Sequence, residues 1–142
     1  MSVIVADASV VVKWLLPERE GEADVHQALR LLEKVGTGRV RLYEPPHWLV
    51  EVGAVMARLS PTTAREDVRD LHAMEVAVLD TQPVYATACD LAIEFDHHLF
   101  DTLYHAVALH LPDALLVTVD DRYYRKAHSR GRIVRLRDLP LS

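Results

Sequence analysis

Four acidic residues carry the chemistry that this sequence could perform: Asp7, Glu51, Asp101 and Asp120, with Asp121 a rival for the last place. Carboxylates gathered in one cleft repel each other, and some must take up protons unless a counter-charge joins them. A hard divalent cation resolves the conflict, because Mg²⁺ and Mn²⁺ take oxygen ligands and Mg²⁺ usually keeps several waters. Such an ion is the equipment for phosphodiester hydrolysis: it lowers the pKa of the attacking water and neutralises charge building on the phosphate. The competing explanation is structural. An aspartate before a helix is a common N-cap, contributing about 1 kcal/mol, and Asp7, Asp101 and Asp120 all stand where caps are expected. Glu51 resists that account. It lies mid-helix among Leu49, Val50 and Val52, and its plain alternative is exposure beside His47 and Arg58.

The elements that must position these acids follow from the hydrophobic pattern. An apolar run at the amino terminus stops on Asp7, and Ser9 reads as the N-cap of a helix over 10–16 that Pro17 ends. A second buried-type strand over 114–119 also stops on acid, Asp120-Asp121. In open α/β sheets, ligands collect at the carboxyl ends of parallel strands, so these acids fall on one edge. A helix over 101–111 opens on Asp101 and can aim its amino end at that edge, where the dipole keeps carboxylates ionised. Pro46 is well placed to open a helix over 46–59 carrying Glu51. Further helices are expected over 18–35, stopped by Gly36-Thr37-Gly38, over 64–75 with Thr63 and Glu66 as a capping box, over 83–95, and over 122–128, closed by Gly131. Short strands are expected over 40–43, 76–79 and 133–136. Strands separated by helices imply a parallel sheet covered on both faces.

The bulk numbers agree with one α/β domain over 1–142, half of its residues hydrophobic. A net charge of −5 argues against a general electrostatic nucleic-acid binder, but the charge is uneven. Residues 1–120 hold 9 Lys and Arg against 19 Asp and Glu, whereas residues 121–142 hold 7 against 2. Arg122 and Arg125 in this basic end are candidate contacts to a phosphate backbone; the plain alternative is a solvated helix face and an arginine-guarded edge strand. The single cysteine, Cys89, permits no intrachain disulfide and reads as core filler. No stretch approaches the roughly 20 apolar residues of a membrane span, and Asp7 interrupts any leader-like start, so a cytoplasmic protein is expected.

Four segments, in order along most of the chain, resemble the PIN-domain ribonucleases, specifically toxins of the VapC type from toxin–antitoxin pairs. They are Val5-Ala6-Asp7-Ala8-Ser9-Val10-Val11-Val12-Lys13-Trp14, Pro45-Pro46-His47-Trp48-Leu49-Val50-Glu51-Val52, Phe100-Asp101-Thr102-Leu103-Tyr104-His105-Ala106-Val107-Ala108 and Leu115-Leu116-Val117-Thr118-Val119-Asp120. The resemblance implies a PIN-like three-layer α/β/α sandwich around a mostly parallel sheet of about four or five strands. It makes Asp7, Glu51, Asp101 and Asp120 the acidic site for Mg²⁺ or Mn²⁺, with Ser9 and Thr118 as auxiliary polar groups. Asp121 departs from the family pattern and either shares the ligand role or caps the last helix. The connector pair His97 and His98 is untypical of the family, and with His105 these read as surface histidines.

The implied activity is metal-dependent endoribonuclease cleavage that leaves 5′-phosphate and 3′-hydroxyl ends. The implied partners are RNA, a small cognate antitoxin and a second copy in a homodimer. An acidic cleft accepts a basic side chain, which gives the antitoxin a physical means of blocking it. The helices over 10–16 and 46–59 are candidate partner surfaces. Two other classes compete: a catalytically inactive PIN-like module that binds RNA or protein, and a different acid-site α/β protein. A haloacid-dehalogenase-type phosphatase wants a second aspartate where Ser9 stands. A phosphoryl-accepting receiver wants a late-sheet lysine, but the only later one, Lys126, lies within a helical pattern.

Overall fold

A computed structural model of the chain describes residues 2–18 and 24–140. Part of the helix expected over 18–35 falls outside the described residues. Five strands form one parallel sheet: β1 (Ser2–Ala6), β2 (Val40–Glu44), β3 (Ala77–Val78), β4 (Ala114–Thr118) and β5 (Ile133–Arg135), in the order β3-β2-β1-β4-β5. Every pairing is parallel, with Ile4 opposite Leu42 on one side and Leu115 on the other. β1 therefore lies at the centre, and the chain leaves it toward β2 on one side while β4 returns on the other. That reversal opens a crevice beyond the carboxyl ends of β1 and β4, where an α/β sheet offers a ligand site.

Seven α-helices connect the strands among the described residues: α1 (Ala8–Leu15), α2 (Val25–Gly36), α3 (Trp48–Leu59), α4 (Ala64–Ala73), α5 (Gln82–Phe95), α6 (Leu99–Leu109) and α7 (Asp121–Ala127). The apolar runs predicted to be buried are buried: Val5 and Ala6 on β1, Leu116 and Val117 on β4, and Tyr104, Ala106, Val107 and Ala108 on α6. α1 is a core helix, with Val10, Val11, Val12 and Trp14 all buried, so of the expected partner surface over 10–16 only Leu15 and Leu16 at its end are partly exposed apolar residues. α3 leaves one large apolar side chain, Val50, in solvent.

Several expected boundaries shift, each for a capping reason. The cap of α1 is Asp7 and not Ser9: the Asp7 Oδ2 accepts from the Ser9 N–H at 3.1 Å. α3 begins at Trp48 because Pro45 and Pro46 form a turn, with the Trp48 N–H bonded to the Pro45 carbonyl at 3.2 Å. Glu51 is therefore in its first turn and not in its middle. α6 begins earlier than expected, capped by His98, whose Nδ1 accepts from the Phe100 N–H at 3.1 Å. Asp101 is thus a first-turn residue and not the cap. Thr63 makes no side-chain cap to α4; its hydroxyl meets Ser60 Oγ instead. Cys89 is exposed and not core filler. No helix among the described residues is long and apolar enough to cross a membrane.

Candidate metal centre

Four helix amino ends converge on the crevice, and each brings one acid. Asp7 caps α1, Glu51 and Asp101 occupy the first turns of α3 and α6, and Asp120 caps α7 by accepting from the Tyr123 N–H at 3.0 Å. Unpaired N–H groups at a helix start favour negative charge, so capping and a charged site reinforce each other here. A cleft of about 430 Å³ is lined by Asp7, Ser9, Glu51, Asp101 and Asp120, together with Lys13 and Arg58.

Asp7, Glu51 and Asp101 each offer a carboxylate oxygen, and these oxygens lie within 4.8 Å of one another. Asp120 faces the same cleft but clusters with Asp101 and His97 rather than with the first triad. Asp121 turns the other way, toward Arg135 and Arg137 at 3.9 and 3.7 Å. Of the two neighbouring acids, Asp120 is the one in the cleft. Arg122 and Arg125 are exposed on α7 and do not line the cleft, whose cationic wall is Lys13 and Arg58. Ser9 donates through Oγ to Asp7 Oδ2 and accepts from the Val119 N–H at 3.4 Å, tying the start of α1 to the end of β4. Thr118 Oγ1 is buried and accepts from the Asp120 N–H at 3.0 Å, which fixes the turn into α7.

The charge balance of this cleft favours a cation. Burial pushes the Asp7 carboxyl up to about 6, with Asp101 and Asp120 adding to the rise and the bonds from Ser9 opposing it. Burial also pushes Glu51 up to about 7, helped by the charge on Asp7. Near pH 6 both acids are partly protonated, and a divalent ion would displace those protons. The three oxygens lie within 4.8 Å of one another, and ligands around an ion with bonds of about 2.1 Å are at most roughly 4.2 Å apart, so small side-chain adjustments would bring all three onto one ion. The donor set is all carboxylate, which suits Mg²⁺ or Mn²⁺ better than a softer metal.

Three supporting groups had no reading as site residues in the sequence. Tyr104 donates its hydroxyl to Glu51 Oε1 at 3.1 Å. Glu44, fully buried at the end of β2, accepts from the Ala6 N–H at 2.8 Å, one residue before Asp7. Burial drives its carboxyl well above the usual range, which favours the protonated form. An acid directly before the Pro45-Pro46 turn was the available signal. His47 Nε2 donates to the Phe100 carbonyl at 2.8 Å, linking the start of α3 to the start of α6. Two of the expected surface histidines are interior groups. His105 is fully buried between the Tyr123 hydroxyl and the Gly131 carbonyl, both at 2.8 Å, and the His97 side chain is 8 % exposed against Asp101. His98 remains exposed.

Comparison with known proteins agrees with this architecture. A toxin–antitoxin complex from Klebsiella pneumoniae superposes with a TM-score of 0.62 at 16 % identity, over 92 % of this chain and 95 % of that one. VapBC2 from Rickettsia felis, bound to a DNA fragment from its promoter, gives a TM-score of 0.65 at 12 % identity, over 94 % and 96 %. Mycobacterium tuberculosis VapC20, a sarcin-ricin loop cleaving toxin, gives 0.57 at 20 % identity, over 75 % and 81 %. At these identities the likeness is one of fold. A search of curated proteins finds no significant match. The PIN domain family profile matches residues 4–129, spanning all four cleft acids, and on that match the chain belongs to the PIN domain family.

Proposed function

We propose that this chain is a metal-dependent endoribonuclease acting in the cytoplasm as the toxin of a toxin–antitoxin pair. The observation that carries the reading is the convergence of Asp7, Glu51 and Asp101 at the carboxyl edge of the sheet, with Asp120 in the same cleft. Family membership supports the nuclease, and the toxins of similar fold support the biological setting. Asp7, Glu51 and Asp101 hold Mg²⁺ or Mn²⁺ in this reading. When bound, the ion supplies an acidified water for in-line attack and neutralises charge building on the phosphate.

The chain's own residues do the rest. Ser9 holds the Asp7 carboxylate plane, and Tyr104 holds that of Glu51. Asp120, beside Asp101 in the same cleft, would accept a hydrogen bond from a water bound there. Lys13 and Arg58 on the cleft wall attract a polyanionic backbone into an otherwise acidic site, a role for which Arg122 and Arg125 stand farther off. The partners follow from the same surfaces. A basic side chain from a small antitoxin fits the acidic cleft, and exposed Val50, Ile93 and Phe100 are apolar area for an antitoxin or a second copy to cover.

The test is RNA cleavage by the parent and by Asp7→Asn, with and without Mg²⁺ or Mn²⁺. The expected result is cleavage by the metal-loaded parent alone, giving 5′-phosphate and 3′-hydroxyl ends. Cation binding without cleavage of any RNA class would instead favour a binding module. Cleavage undiminished in Asp7→Asn would refute the site.

A further inference from the structure

The connector between α5 and α6 carries a histidine that the proposed chemistry does not use. His97 follows Asp96, the left-handed C-cap of α5, and its ring lies against Tyr123 with centroids 4.8 Å apart. Nε2 is 2.9 Å from Asp101 Oδ2 and 3.8 Å from Asp120 Oδ2. Nδ1 is 3.3 Å from Lys126 Nζ, and the same ammonium donates to the Asp96 carbonyl at 3.1 Å.

These contacts fix the tautomer. An ammonium has three donors and no acceptor, so the ring nitrogen facing Lys126 must be the acceptor. The imidazole hydrogen is therefore on Nε2, directed at Asp101. His97, Asp101 and Asp120 also have the spacing of a cation-binding trio. Direct ligation, however, needs the Nε2 lone pair, and that tautomer sets an N–H on Nδ1 against the lysine. A carboxylate has about four lone-pair sites, so one N–H bond fixes the Asp101 plane and leaves acceptor capacity for an ion.

We infer that His97 is a positioning residue: it orients Asp101 toward the divalent cation through an Nε2–H bond, and Lys126 holds it in the tautomer that can do so. The inference rests on the reading of Asp7, Glu51 and Asp101 as a cation site. Partners of this kind beyond the ligands typically govern about 10–100-fold in metal affinity or activity.

Four proteins test it: the parent, H97Q, H97L and K126M. Long-range ¹H–¹⁵N correlation spectra of the metal-free proteins read the tautomer, and calorimetric titration with Mn²⁺ reads affinity. Thermal melting checks that each variant is folded. The parent is expected to carry the hydrogen on Nε2, and K126M to show a mixture of tautomers. H97L is expected to bind Mn²⁺ about 10–100-fold more weakly, with cleavage recovering at high Mn²⁺ and KM for RNA unchanged. H97Q keeps an amide N–H near the Nε2 position and is expected to bind nearly as the parent does. An Nδ1–H tautomer in the parent, or parental Mn²⁺ affinity in a folded H97L, would overturn the inference. H97Q as weak as H97L would overturn it in favour of direct ligation by the imidazole. An unchanged spectrum in K126M would remove the role of the lysine. A parent that binds no Mn²⁺ would overturn the cation site itself, an outcome distinct from all of these.

Discussion

Cation binding to this chain should release protons, and the number released should change steeply between pH 6 and pH 8. The perturbation is the titration of metal-free protein with Mn²⁺ at fixed pH. With Asp7 at about 6 and Glu51 at about 7, the two carboxyls together hold about 1.4 protons at pH 6, about 0.6 at pH 7 and about 0.1 at pH 8. An ion needs both ionised, so it must displace those protons. The same competition weakens apparent affinity about 20-fold at pH 6 but only about twofold at pH 7, a difference near tenfold, or about 1.4 kcal/mol. The assay is calorimetry at each pH in buffers of different ionisation enthalpy, where the slope of observed heat against buffer enthalpy gives the proton count. A slope near zero at pH 6, or affinity constant from pH 6 to pH 8, would refute the argument that crowding and burial hold these two acids protonated.

Metal-free stability should show the other side of that linkage. Because the folded pKa values of Asp7 and Glu51 are raised, the native state keeps protons that the unfolded chain has lost, so Tm without metal should fall as pH rises from about 4 toward 7; saturating Mn²⁺ should reverse the trend. Asp7→Asn retains an acceptor for the Ser9 N–H and removes a repelled charge, so it should raise the metal-free Tm at pH 7 while abolishing cleavage. Glu44→Gln keeps the bond to the Ala6 N–H, and its melting curve should lie above the parent's at pH 7 and converge with it near pH 4. Tyr104→Phe deletes a donor that lowers the Glu51 pKa, so the midpoint of pH-dependent Mn²⁺ binding should move upward, with about 1 kcal/mol lost in denaturant unfolding.

What the sequence made legible was whatever repeats at short range. Two apolar runs that each stop on an acid located β1 and β4, and with them Asp7 and Asp120. The same logic could not choose between Asp120 and Asp121. That choice is made by Arg135 and Arg137, which draw Asp121 away from the cleft across the sheet edge. His97 looked like a surface residue because its burial comes from Tyr123 and Lys126, more than twenty residues later in the chain. Lys13 and Arg58 carry little signal either: each is the one basic residue of an apolar helix, and only the packing of α1 near α3 sets both on one wall. Glu44 was hidden for the opposite reason. Its place before the Pro45-Pro46 turn marks the position but not the burial, because an acid beside a turn looks solvated and its partner, the Ala6 N–H, comes from the neighbouring strand.

The two explanations weighed for these acids, helix cap and cation ligand, turn out to be one arrangement. Asp7 and Asp120 are oriented by backbone N–H groups at the helix starts they cap, while Glu51 and Asp101 stand in first turns, near the positive ends of α3 and α6, and are held by Tyr104 and His97. Orientation thus comes from helix starts for two acids and from ring side chains for the other two. Neutralisation is incomplete: burial raises the Asp7 and Glu51 carboxyls, neighbouring carboxylates add to the rise, and a divalent ion would relieve both. A cleft with fewer helix ends would hold its acids less firmly, and one with fewer acids would have no call for a metal. It follows that converting any one acid to its amide should disturb cation binding far more than folding, a distinction that melting curves and Mn²⁺ titrations on the same four variants would read directly.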